Sequence, residues 1–275
     1  MKRIAALLVV AGALLPTSAS AQLVSEYEPV RHACCLSLTI RNIADQLQDW
    51  NQLSRYYTEN AELKKLPADP KRVVFIGDSI TELWNLAESF PGAPYVNRGI
   101  SGQTTPQMLV RMFPDVIALK PAAVVILAGT NDISKATGVA TAEMVENNIQ
   151  AMAQLAAANG IKVVLAAILP TDDTPVRPPA TTTQRFGPQQ PAGVRIPPRP
   201  KNSEMRPPTD ILKLNAWMRE YARSAGFTYL DYYTAMVDAD GMMRDGLSND
   251  GVHPTPAGYA VMAPLVTAAL QATLK

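Results

Sequence analysis

Several short apolar runs recur along this chain, and they limit its possible folds more than any other feature. Val73-Val74-Phe75-Ile76, Ala122–Leu127, Ile161–Ile168 (interrupted only by Lys162) and Phe227–Leu230 contain almost no polar residue. A strand with one face in water alternates apolar and polar positions, whereas a continuous run must be covered on both faces. Between the runs lie stretches with helical spacing. Thr141 opens one carrying Val145, Ile149, Met152 and Leu155, which Asn159-Gly160 stops. Another bears Ile211, Leu214, Met218 and Tyr221, and Thr255-Pro256 opens the last. Thr105-Pro106 starts a helix with Leu109, Met112, Val116 and Leu119 on one face, which Pro114 should interrupt. Tyr95–Asn97 is a short strand candidate, and a helix through Leu83 and Trp84 should follow the first run. Apolar strands alternating with amphipathic helices predict one doubly wound α/β domain, about five parallel strands covered on both faces.

The rest of the chain sets boundaries. Its 275 residues suffice for one well-buried core. Lys2 and Arg3, the apolar run Ile4 to Leu15 and the small residues Ala19-Ser20-Ala21 read as a signal peptide over 1–21. That run is shorter than the ~20 residues of a membrane span, so export to the periplasm or cell exterior without an anchor is expected. Residues 22–71 read as a helical extension, with Leu36, Ile40, Ile43, Leu47, Trp50 and Leu53 on one face and a break near Asp49, then a linker from Lys64 to Lys71. The catalytic domain would occupy 72–275. Within it, 171–209 holds ten prolines and five arginines and too few aliphatic residues for a core. Solvated decoration is the commoner fate of such an insertion, a flap over the site the alternative. Cys34 and Cys35 are adjacent, so a mutual disulfide would be strained and the fold is not a disulfide scaffold. With His32 they lack the spacing of a zinc site and read as buried or partly buried thiols, an intermolecular disulfide being the alternative. A net charge of +1 gives no electrostatic case for nucleic acid.

Chemistry enters at strand ends. Gly77-Asp78-Ser79 follows the first apolar run, placing Ser79 on the turn beyond it. A serine hydroxyl needs a base at hydrogen-bond distance. The chain has only two histidines, His32 and His253, and Asp250-Gly251-Val252-His253 supplies an imidazole with a carboxylate three residues earlier. Asp250 would fix the tautomer of His253, and Asp245 is close enough in sequence to compete for that place. The oxyanion of a tetrahedral intermediate needs donors. Asn97-Arg98-Gly99-Ile100-Ser101-Gly102 and Gly129-Thr130-Asn131-Asp132 offer them, with the Ser79 N–H as a third. Asp78 and Asp132 read as structural, bonding local backbone. No Gly-x-Ser-x-Gly elbow, phosphate loop, His-Glu-x-x-His zinc motif or complete dinucleotide fingerprint occurs.

Four blocks in order, Gly77-Asp78-Ser79-Ile80, Asn97-Arg98-Gly99, Gly129-Thr130-Asn131-Asp132 and Asp250-Gly251-Val252-His253-Pro254, resemble those of the SGNH hydrolases, the GDSL-type esterases and lipases. Isoleucine stands in the usual leucine place of the first block. The resemblance covers about residues 72–273. It implies a three-layer α/β/α sandwich with a flavodoxin-like parallel sheet. It also implies Ser79 as nucleophile, His253 as base then acid, Asp250 as its partner, and Ser79 N–H, Gly99 N–H and the Asn131 amide as oxyanion hole. Gly102-Gln103-Thr104-Thr105 and Asn131-Asp132-Ile133 look like the small acetylhydrolases related to platelet-activating-factor acetylhydrolase and the carbohydrate acetylesterases. The expected activity is hydrolysis of short-chain, most simply acetyl, esters of a small molecule or carbohydrate, with no cofactor. The alternatives are an acyltransferase to a sugar hydroxyl using the same triad and a catalytically silent carbohydrate-binding module. Acyl length, alcohol and oligomeric state are not read from the sequence.

Overall fold

The computed structural model describes residues 49–67, 69–173 and 200–275. The signal peptide, the His32, Cys34 and Cys35 cluster, the extension up to residue 48 and residues 174–199 of the proline-rich stretch lie outside the described residues.

Five strands form one parallel sheet in the order β2-β1-β3-β4-β5: β1 (Val73–Gly77), β2 (Tyr95–Gly99), β3 (Ala123–Leu127), β4 (Lys162–Ala166) and β5 (Thr228–Leu230). Each expected strand is present, and Tyr95–Asn97 extends two residues further, to Gly99. Register brings the first three strands to a common end, with Gly77 opposite both Gly99 and Leu127. Every residue of β1 and β3 is buried, as runs without alternation require.

The sheet separates two apolar layers. Val74, Ile76, Val124, Ile126 and Leu165 face one side, against Val145, Ile149 and Met152 of a helix over Ala142–Ala158 and Ile211, Leu214 and Met218 of another over Pro208–Ala225. Val73, Phe75, Val125, Leu127 and Val164 face the other, against Trp84, Phe90, and Tyr259, Met262, Val266 and Leu270 of the last helix, Pro256–Thr273. Each such aliphatic side chain withdrawn from water contributes about 1.5–3 kcal/mol before ordering costs. Helices on both faces of a flavodoxin-like sheet make the expected α/β/α sandwich.

The helices bear out the capping signals and the expected interruption near Pro114, with one correction. Thr141 accepts from Met144 N–H and Thr255 from Gly258 N–H, each closing its N-terminus as expected. The helix after β1 is a single turn, α1 (Ser79–Glu82), rather than one running through Leu83 and Trp84. Trp84 N–H donates to Thr81 instead, and the indole packs into the aromatic cluster with Phe75, Phe90 and Tyr259. The helix from Thr105 breaks at Arg111, ahead of Pro114, and a second turn covers Met112–Asp115. A proline ring clashes with the carbonyl four residues earlier, here that of Val110, so the ladder parts there and Pro114 sits early in a fresh turn.

Upstream, the chain differs from expectation. Asp49 accepts from the N–H groups of Leu53 and Ser54, and residues 49–55 form turns. Trp50 and Leu53, expected on an apolar face, are exposed, and helix begins only at Tyr57–Lys65, taking in two residues expected as linker.

Candidate active site

Ser79 begins α1, one residue beyond the turn that leaves β1. Asp78 caps that turn: its Oδ1 accepts from Ile80 N–H at 2.9 Å, the local bond expected of it. A Cβ at Gly77 would strike the Thr81 side chain and the Leu127 carbonyl, so only glycine lets the turn close against β3.

His253 comes from the loop before the last helix. Its Nε2 accepts from Ser79 Oγ at 2.8 Å across 174 residues of sequence, and its Nδ1 lies 2.6 Å from Asp250 Oδ2. With Nδ1–H donating to the carboxylate, the Nε2 lone pair faces the serine hydroxyl. Asp250 Oδ1 accepts from the N–H groups of Val252 and His253 at 3.0 and 2.8 Å. Partial burial would raise the Asp250 carboxyl, but the donors from the His253 backbone, the His253 ring and the Val252 backbone outweigh it and hold it at about 2. Asp250 is therefore ionised throughout the range in which an imidazole can act as a base. Asp245 is exposed and takes no part in this triad.

The expected donors divide. Asn131 sits in a turn over Thr130–Ile133 beyond β3, and its Nδ2 donates to Gln103 O at 3.0 Å, leaving one hydrogen for another acceptor. Ser79 N–H, at the first position of α1, carries no internal partner among the described residues. Gly99 departs from expectation. Its N–H already donates to Asn97 Oδ1 at 2.8 Å, and its missing Cβ is needed because the α1 backbone at Glu82 passes within 2.1 Å of that position. Gly99 is thus a packing glycine whose donor is occupied. Three residues on, Gly102 N–H has no partner among the described residues, and it adjoins Gln103, whose carbonyl holds Asn131. The signal was present in the sequence, since an asparagine two residues before a glycine is placed to bond that N–H.

Asp132 reaches further than expected. Beside a bond to its own backbone N–H, its carboxylate takes Thr105 N–H and Oγ1, at 3.1 and 2.6 Å, from 27 residues away. It ties the Asn131 turn to the helix after the Gly102 loop. Burial pushes both Asp78 and Asp132 up to about 6.

Residues that sequence reasoning passed over buttress the site. Tyr56 hydroxyl donates to Gly99 O, and Gln103 Nε2 to Asn51 O, so the segment before the first helix backs the 99–103 loop. Arg111, fully buried, donates to Gly77 O, Arg98 O, Gln103 Oε1 and Asp115. From the proline-rich stretch, Asn202 reaches Asp250 O at 2.7 Å and Arg206 reaches Thr130 O at 3.2 Å. Apart from the Arg111–Asp115 pair, four residues apart, and Arg111–Gln103, eight apart, these contacts join positions far apart in sequence, so no composition or periodicity signal marks them.

A serine, a histidine and an aspartate joined at the carboxyl edge of a parallel sheet have the arrangement that serine-nucleophile hydrolases use. Residues 75–261 match the model of the GDSL-like lipase/acylhydrolase family. The chain belongs to that family and is a carboxylic ester hydrolase. It is 40% identical to a candidate acylhydrolase from Bacteroides fragilis, covering 82% of this chain and 99% of that one, with a TM-score of 0.69. A GDSL-like lipase from Bacteroides thetaiotaomicron is 36% identical over 81% of this chain and 98% of its own, with a TM-score of 0.67. An acetyl-xylooligosaccharide esterase from Geobacillus stearothermophilus shares the fold at 18% identity and a TM-score of 0.54, over 74% of this chain and 96% of its own. No curated protein matches the chain.

Proposed function

We propose that the protein is an exported esterase that removes short acyl groups, acetyl above all, from a small or carbohydrate alcohol through an acyl-enzyme. Ser79 Oγ attacks the ester carbonyl as its proton passes to His253 Nε2. The carbonyl oxygen takes up the negative charge, facing Ser79 N–H, Asn131 Nδ2 and, in place of Gly99, Gly102 N–H. The C–O bond to the alcohol then breaks and His253 returns the proton to the leaving oxygen. Water repeats the sequence with His253 as base, releasing the acid and restoring Ser79. Asp250 holds the ring's tautomer and balances the imidazolium. No step calls on a cofactor.

The single observation carrying this reading is the unbroken chain from Ser79 Oγ through His253 to Asp250, at 2.8 and 2.6 Å. The preference for acetyl esters of carbohydrates is supported by kinship of fold with an acetyl-xylooligosaccharide esterase, and export by the pattern of residues 1–21. Turnover of a chromogenic acetate by purified protein is expected to fall by at least about three orders of magnitude in Ser79→Ala, with an unchanged melting temperature. Retained turnover would remove Ser79 from the reaction. An acyl series from acetate to palmitate reads chain length directly, and free acid rather than acylated product in the presence of a polyol distinguishes hydrolysis from transfer.

A further inference from the structure

Arg206 lies at the end of the proline-rich stretch, where the sequence offers no core. Its Nε donates to Thr130 O at 3.2 Å, and one terminal nitrogen reaches Asn131 Oδ1 at 3.5 Å. A single helical turn, Asn202–Met205, sets this reach, with Arg206 N–H donating to Asn202 O at 2.7 Å. Asn202 in turn donates to the carbonyls of Asp172 and Asp250, at 2.8 and 2.7 Å. Asp173 accepts from Ser203 N–H and Oγ, so both ends of the stretch are fastened together. One turn of chain therefore touches the Asp250 loop at one end and the Asn131 amide at the other.

The guanidinium is half-buried, and Asp78 and Asp250 are the carboxylates whose charges it feels. Neither lies within ion-pair distance, and among the described residues the acceptors it meets are a backbone carbonyl and an amide oxygen. Holding a cation partly out of water with no close counter-ion among the described residues is costly, so its place calls for a compensating role.

We propose that Arg206 is a positioning residue for ester hydrolysis, acting through Asn131, whose amide it keeps turned with Oδ1 away from the reacting carbonyl and Nδ2 towards it. The inference rests on the acyl-enzyme reading above. Asn131 Nδ2 faces Gln103 O on one side, while Arg206 faces Oδ1 on the other. Rotating the amide by half a turn would set Oδ1 against the Gln103 carbonyl and Nδ2 against the guanidinium, acceptor to acceptor and donor to donor. Gln103 and Arg206 together therefore select one orientation. The 3.5 Å contact is loose in the resting protein. As negative charge gathers on the ester oxygen, the amide polarises and Oδ1 becomes a stronger acceptor. The contact then gains more in the transition state than in the ground state, which places its effect on kcat rather than KM.

The test is a mutant cycle on a chromogenic acetate, with Arg206→Met, Asn131→Ala, the double variant and Arg206→Lys. Arg206→Met is expected to lower kcat about tenfold with KM changed by less than about twofold. In the Asn131→Ala background the same substitution should cost less than about twofold, because its target is gone. Arg206→Lys, which keeps the cation, should fall between wild type and Arg206→Met. An equal loss in both backgrounds, an unchanged kcat or a change confined to KM would each overturn the proposal. If Arg206→Met does not fold, Arg206→Lys with and without Asn131→Ala supplies the same cycle. Ser79→Ala separates the two readings: turnover surviving in it sinks the acyl-enzyme itself. An inert Ser79→Ala beside Arg206 variants at wild-type kcat sinks only the positioning role.

Discussion

Asp78 and Ser79 are neighbours in sequence with opposite surroundings. Ser79 opens towards His253, while Asp78 is buried behind it, one oxygen capping α1 and the other without a partner among the described residues. Burial raises the Asp78 carboxyl to about 6, against about 3.8 when unfolded. Between those values the folded protein binds the proton that the unfolded chain has released. Stability contributed by the neutral group is thus full below about pH 4 and lost as pH rises to about 6. Asp132 titrates over the same window, so the decline has two sources. Asp78→Asn keeps the capping oxygen and removes one of them. Urea unfolding of this variant should show a descent between pH 4 and 6 that is shallower than in wild type by about 2–3 kcal/mol. Identical slopes would mean that Asp78 stays ionised in its buried position. Asp250 runs the other way: held at about 2, its contribution persists until strong acid.

The elements meet through glycines and short turns that tolerate little change. Gly99 ends β2 where the α1 backbone crosses it, and a Cβ there would fall 2.1 Å from Glu82 N and 2.6 Å from Glu82 Cα. Backbone, not a flexible side-chain end, is in the way, so α1 must move and Ser79 moves with it. Gly99→Ala should lose about 3 kcal/mol or more of stability together with most of its kcat. Gly102 has open space around its Cβ position but a φ of +79°, so alanine there costs about 1 kcal/mol of backbone strain. Comparing the two variants by chemical unfolding separates a packing glycine from a conformational one. A Gly99→Ala protein as stable as Gly102→Ala would contradict this division.

At the scale of the molecule, Arg111 joins parts that sequence alone leaves unrelated. Its fully buried guanidinium holds the Gly77 carbonyl that ends β1, the Arg98 carbonyl one residue before the end of β2, the Gln103 side chain and the carboxylate of Asp115, which also accepts from Asn60. Through Asn60 the network reaches Arg98, and Tyr56, stacked under Arg98, bonds Gly99 O. The segment preceding the domain expected from residue 72 is thereby continuous with the loop over residues 99–103. Arg111→Met fills much of the space but leaves the Asp115 side chain in the interior without its guanidinium partner. A loss of about 3–5 kcal/mol in the urea midpoint analysis is expected. A loss below about 1 kcal/mol would show that the network is dispensable.

What could be read along the chain was whatever repeats locally. Strand runs without alternation required a sheet covered twice, and Thr141, Thr255 and Pro256 announced helix starts, because burial and capping depend on residues a few positions apart. Ser79, Asp250 and His253 were legible as types because few side chains can perform acyl transfer and the chain has only two histidines. The tertiary structure decided which donors are unoccupied. Asn97 engages the Gly99 N–H, Gln103 orients Asn131, and Arg206 arrives from a stretch whose composition offered no core. The Asn97–Gly99 bond spans two residues and its spacing was legible, but the other two join segments that meet only after folding, where a shift of one ångström makes or breaks the contact and no local pattern encodes it.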